Sequence, residues 1–122
     1  MGVNSAYRHI GTVTLRSDHD VYEGEGDYLV ETRVRKDPSR SYGQVVSAAA
    51  VDAVSELLQG FDADIHTLAD AVGSLNPGSL GFRYHYGFQL YYEVERALLA
   101  AVASGRAGVR PSGSRFTFYL RA

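Results

Sequence analysis

The 122-residue chain contains no cysteine, which excludes disulfides, thiol nucleophiles and thiolate metal sites. Lysine is almost missing too: of 12 basic residues, Lys36 is the one lysine and arginine supplies the rest. With many Ala, Gly and Val, that bias fits a GC-rich coding sequence. It also makes arginine the default cation and lowers the meaning of any single one. No stretch approaches the roughly 18 apolar residues of a membrane helix. Met1–Arg8 holds no apolar signal-peptide core. A cytoplasmic protein without a membrane partner is expected, and a viral coat or tail component would look the same. No repeat, low-complexity block or domain boundary is visible. A single domain over 1–122 is expected, with 1–8 flexible and 105–114 a flexible connection.

What is present is ordinary for a globular protein: 45% apolar residues, 21% charged residues and a net charge of −2. A folded chain of this mass keeps about 6,400 Å² accessible of roughly 19,000 Å² unfolded, so a real core is attainable.

Alternation predicts strands over His9–Arg16 and Asp27–Arg35, the second with Tyr28, Val30, Thr32 and Val34 on one parity. Ser17–Gly26, rich in Asp and Glu, reads as the loop of a hairpin. Ser41-x-x-Gln44 has the pattern of a capping box, opening a helix with Val46, Ala50, Ala53, Val54 and Leu57 on one face and Gly60 as its stop. Asp62 or Asp64 can cap a second helix whose stripe is Ile65, Leu68, Val72 and Leu75, ended by Asn76-Pro77-Gly78. Leu80–Tyr86 alternates like a strand, although its periodicity also allows a helix from Phe82. Gly87 then precedes the longest helix, Phe88–Ser104, and Arg115–Arg121 closes the chain as a strand with Phe116, Phe118 and Leu120 inward. The order β-β-α-α-β-α-β predicts an α+β, two-layer sandwich of about four mainly antiparallel strands, with three helices on one face.

That parity sorts charge. The outer side of the predicted sheet would carry Arg16, Arg33, Arg35, Arg83, Arg115 and Arg121 with one acid, Glu31, beside His85 and Tyr119. Such a face could hold phosphates and stack bases, as single-strand platforms do, or another anionic ligand. The plainer expectation is a solvated face or a subunit contact. A second signal is on the long helix. A wheel puts Gln89, Glu93, Arg96 and Ala100 on a narrow polar strip, whereas Glu95 falls inside the apolar arc. A carboxylate there needs a partner or becomes protonated. Glu95, His85 and Tyr91 are accordingly the candidate catalytic residues, with Glu95 as acid or base. Tyr84, Tyr86, Tyr91 and Tyr92 cluster within nine positions, more phenols than one small core absorbs. Tyr84, Tyr86 and Tyr92 join Arg33, Arg35, Arg83, Arg115, Arg121 and Tyr119 as candidate ligand- or partner-binding residues.

The four histidines have no close zinc spacing, and the acidic loop lacks the Asp-x-Asp-x-Asp-Gly order of a calcium site. No metal or cofactor is expected. Three readings follow: a binding or assembly module acting through protein contacts or homo-oligomerisation; a single-stranded nucleic-acid or anion binder; and a small enzyme or ligand-binding protein built on Glu95. An enzyme is the less favoured of these.

Overall fold

β-branched residues alternate with polar ones along the first third of the chain, and this pattern makes a four-stranded antiparallel meander rather than a single hairpin. The computed structural model describes residues 6–34 and 36–121. Strands β1 (Arg8–Thr14), β2 (Asp18–Glu23), β3 (Asp27–Arg33) and β4 (Tyr42–Ser47) lie in the order β1-β2-β3-β4. Helices α1 (Ala48–Leu57), α2 (Ile65–Gly73) and α3 (Gly87–Ala103) follow, and β5 (Ala107–Ser112) and β6 (Arg115–Leu120) form a separate antiparallel pair. The α+β class and the layering of helices on a mainly antiparallel sheet are as expected. Arg35, residues 1–5 and Ala122 lie outside the described residues.

Four elements differ from the expectation, each for a physical reason. The acidic stretch Ser17–Gly26 contains β2. His19 and Val21 turn inward and are buried, while Asp18 and Asp20 face out, where Thr14 and Thr12 donate to them. Alternation was present but hidden by the acids on the wet side. The predicted first turn of α1 is strand β4. The cap is Ser47, whose Oγ accepts from the amide of Ala50 at 3.1 Å, rather than Ser41.

Leu80–Tyr86 is not a strand. Pro77–Leu80 is a 3-10 turn, and Gly81 then takes a φ of 97°. A Cβ there would sit 2.7 Å from that of Ala49, so the turn needs glycine. The next amides are taken by a side chain, described below. Gly105–Ser114 is not a loose connection either, because β5 pairs with β6 across the two-residue loop Gly113-Ser114. Gly113 supplies the positive φ, 65°, that such a loop requires.

α3 organises the core. It packs against α1, α2, all four strands of the meander and β5. Leu90, Val94, Ala97, Leu98 and Ala101 are buried along it. α2 buries Ile65, Leu68 and Val72, but the helix ends at Gly73, leaving Leu75 half-exposed. The β5–β6 pair is fastened by Phe118, fully buried, and by a two-way backbone bridge to Ala63. Leu120, expected inward, is 39% exposed at the end of β6.

Candidate functional site

The arginine face does not exist as one surface, because its strands belong to different parts of the fold. Arg33 lies on the outside of the meander, where its Nε is 3.0 Å from Asp20. Arg83 is exposed on the irregular segment before α3, and Arg115, Tyr119 and Arg121 belong to the hairpin end of the chain. Arg115 pairs with Asp64 at 2.8 Å, and Tyr119 lies under the Arg110 guanidinium, which pairs with Asp62. Among the described arginines of the predicted face, Arg33 and Arg115 are each paired with a carboxylate, and Arg16 reaches the hairpin tip, where it donates to the Ser114 carbonyl.

The predicted catalytic group separates as well. His85, expected on a strand beside Glu95, is exposed next to Gly78 and lines a groove of about 530 Å³ with Tyr86 and Phe88. It does not line the cavities that contain Glu95. Tyr91 does remain near Glu95, one helical turn away on α3. Its ring meets His66 and Tyr92 with centroids 4.7 and 5.3 Å apart.

Glu95 stands between two adjoining cavities. One, of about 370 Å³, is bordered by the β1–β2 turn, the start of α2, α3 and the tip of the hairpin. The other, of about 350 Å³, lies between α3 and the meander. Thr32, Tyr42, Tyr92 and Glu95 line both. Each is within the lower part of the range of small-molecule sites, about 300–1,000 Å³. Glu95 has no hydrogen bond or ion pair to any described residue. Burial pushes its carboxyl above the ordinary range, opposed by the positive charge of Arg96. Burial likewise raises the Tyr91 phenol, reinforced by the charge of Glu95.

Two helix positions exchange the roles read from the wheel. Glu93, assigned to the polar strip, is buried and accepts the amides of Arg83 (2.8 and 3.0 Å) and Tyr84 (2.9 Å). It replaces the strand partner those amides lack and so shapes the segment carrying Tyr84, which lines the second cavity. Glu95 has no such backbone to serve and faces open space.

Several lining residues were not singled out by the sequence. His19 is buried on β2, and a 2.8 Å hydrogen bond joins its Nδ1 to Oγ1 of Thr32, its cross-strand partner. Burial lowers its pKa against the pull of Asp18 and Asp20, which favours the neutral ring. The readable signal was the His19-x-Val21 alternation. Asp64, Tyr42 and Arg96 reach the cavities only through tertiary packing, as does Arg16, which was expected on the sheet face instead. Among the described residues, no group of three or more His, Asp or Glu is placed to hold a metal ion.

Asp64 builds one wall by capping α2: its Oδ1 accepts the Thr67 amide at 2.8 Å. That bond, aided by Arg115, holds its carboxyl down at about 2 from an ordinary 3.8. A depressed carboxylate stabilises the fold above its ordinary pKa, and the contribution is lost as pH falls through about 2. Asp64→Ala should lower stability by about 1–2 kcal/mol at neutral pH in urea unfolding, mostly through the cap, and flatten the acid limb of the stability curve. The exposed Arg115 adds little.

No family model matches the chain, and neither the curated proteins nor the solved structures yield a match.

Proposed function

We propose that the chain binds a small organic molecule in the paired cavities around Glu95. The observation that carries this reading is a half-buried carboxylate with no described partner, bordering two concave spaces beside Tyr42, Tyr91 and Tyr92. A polar group kept away from water without a partner is costly, and a ligand that supplies one recovers that cost. In its acid form Glu95 donates a hydrogen bond, and in its ionised form it accepts one or takes a proton. The tyrosine rings offer apolar walls with polar tips, suited to a planar ligand. The same carboxyl would serve as acid or base if the ligand reacts, although binding alone accounts for the geometry.

Fragment screening by protein NMR tests this reading. Hits should perturb Thr32, Tyr91 and Tyr92, and Glu95→Gln should weaken them by roughly 10-fold or more, as expected for loss of a charge-assisted hydrogen bond. Hits confined to other surfaces, or equal affinity for the variant, would defeat the proposal. A stability measurement gives a second check. Because the folded state raises the Glu95 pKa, stability should fall as pH rises from the ordinary carboxyl range through the raised value. Glu95→Gln should remove that decline, and an unchanged pH profile would contradict the assignment.

A protein-contact reading keeps one observation in its favour. Tyr86 and Phe88 are 83% and 81% exposed beside the groove between α2 and the start of α3. Exposed aromatic side chains of this kind are typical contact anchors. The nucleic-acid reading lacks a comparable feature, because its arginines are dispersed.

A further inference from the structure

We infer that His19 of β2 and Glu95 of α3 hold one ligand between them in the cavity of about 370 Å³: an uncharged planar nitrogen heterocycle that gives two adjacent N–H donors to the Glu95 carboxylate and a further polar atom to Nε2 of His19. This rests on the small-molecule reading above and names the class of molecule.

His19 supplies an observation independent of Glu95. Strand parity turns it inward beside its cross-strand partner Thr32, and the two are 6% and 8% exposed. Their 2.8 Å hydrogen bond occupies Nδ1 and orients the ring. Nε2 has no partner among the described residues, yet it is not sealed in. Among the described side chains, the unpartnered polar atom without accessible surface is Nε of Arg96. Nε2 of His19 therefore keeps surface, and the space that His19 borders is this cavity.

Other polar groups around the cavity are already engaged. Arg16 donates to the Ser114 carbonyl, Asp64 accepts the Thr67 amide and pairs with Arg115, and His66 packs its ring against Tyr91. What they leave for a ligand is Nε2 of His19, the Glu95 carboxyl and the hydroxyls of the bordering tyrosines.

These groups select by chemistry. A carboxylate accepts two parallel N–H donors through its two oxygens. Such donors also favour the ionised form that burial disfavours. Burial favours the neutral imidazole, so Nε2 either accepts a donor or donates to a carbonyl, according to which side of the His19–Thr32 bond holds the proton. A cationic ligand would meet Arg16 and Arg115, and an anionic one Asp64 and Glu95; an uncharged ring avoids both repulsions. Tyr42, Tyr91 and Tyr92 give that ring apolar walls.

The probes are isocytosine, with two adjacent N–H donors beside a carbonyl; its isomer cytosine, which lacks that pair; caffeine, which has no N–H; and benzoate and benzamidine as charged controls. Each is titrated into the full chain while the ring nitrogens of His19 are followed by NMR. Isocytosine should shift Nε2 and bind about 10-fold more tightly than cytosine or caffeine. Glu95→Gln should abolish that preference, and His19→Gln should weaken isocytosine about 5-fold or more. Thr32→Val, which keeps the volume, should change the His19 tautomer read from the ring nitrogens and weaken binding; this variant and the wild-type signal decide should His19→Gln fail to fold. Equal binding of isocytosine, cytosine and caffeine, or an unmoved Nε2, would overturn the pairing. A preference for benzoate or benzamidine would overturn the uncharged class. In either case, fragment hits sensitive to Glu95→Gln leave the small-molecule reading standing. No binding by any probe overturns the class proposed here, and the absence of any fragment hit near Glu95 as well overturns both.

Discussion

Glu93→Ala is expected to lower the unfolding free energy by about 2–4 kcal/mol, as two amides lose a charged acceptor. The glutamate is 3% exposed and serves the amides of Arg83 and Tyr84, which have no strand neighbour. Alanine leaves both amides unpaired in a region only partly open to water. Chemical denaturation of the two proteins measures the difference. A loss under about 1 kcal/mol would mean that water replaces the carboxylate freely, and the assigned role would be wrong. Glu93→Gln should fall between the two, because its one carbonyl oxygen can still accept. The substitution should also disturb Tyr84 and the cavity beside Arg96, so weakened ligand binding is expected even without direct contact.

Phe118→Ala should cost still more, about 3–5 kcal/mol, the usual range for removing a fully buried aromatic ring. Phe118 is the point at which the hairpin is fastened to the body. Its ring lies in the core, and its backbone exchanges hydrogen bonds with Ala63 at 2.8 and 3.0 Å. Loosening it should release the hairpin tip, which carries Ser114 and Arg115 at the rim of the larger Glu95 cavity. A guanidinium denaturation midpoint should drop accordingly, and amide exchange in β5 and β6 should accelerate beyond the change in α3. A shift worth less than about 1.5 kcal/mol would show that the ring contributes little beyond its neighbours.

Much of the fold was readable because local rules coincide with tertiary ones there. β1 and β3 show alternation that matches one buried side. α2 has both a cap at Asp64 and a single apolar stripe. α3 has an apolar arc over more than half its circumference, and it is the helix that touches most of the molecule. Where the local signals conflicted, reading failed. In β2 the acids belong to the outer face, so composition suggested a loop while parity pointed to a strand. In β5 the glycines and Pro111 suggested mobility, yet pairing with β6 supplies order that no local propensity provides. Along Phe82–Tyr86 an alternating pattern was available, but the amides found a glutamate instead of a strand.

The candidate site was legible in one residue and illegible in its setting. Glu95 stands out on a helical wheel because a carboxylate in an apolar arc has a desolvation cost wherever it lies. Glu93 does not stand out, since its acceptors are needed by a segment whose shape the wheel cannot contain. Arg96 looked like an ordinary surface cation on a polar strip. That its Nε is buried without an acceptor depends on which side chains the meander brings opposite α3.

By itself, the sequence determined the absence of thiol chemistry, the α+β class and the anomaly at Glu95. These follow from composition and short-range periodicity, which operate within one turn or one strand. Only the tertiary structure decided that the predicted arginines would fall on different elements, that Glu93 would be satisfied and Glu95 not, and that the Arg96 Nε would be buried without an acceptor. The reason is that hydrogen-bond and charge satisfaction are pairwise properties of groups distant in the chain, set by strand register and helix packing.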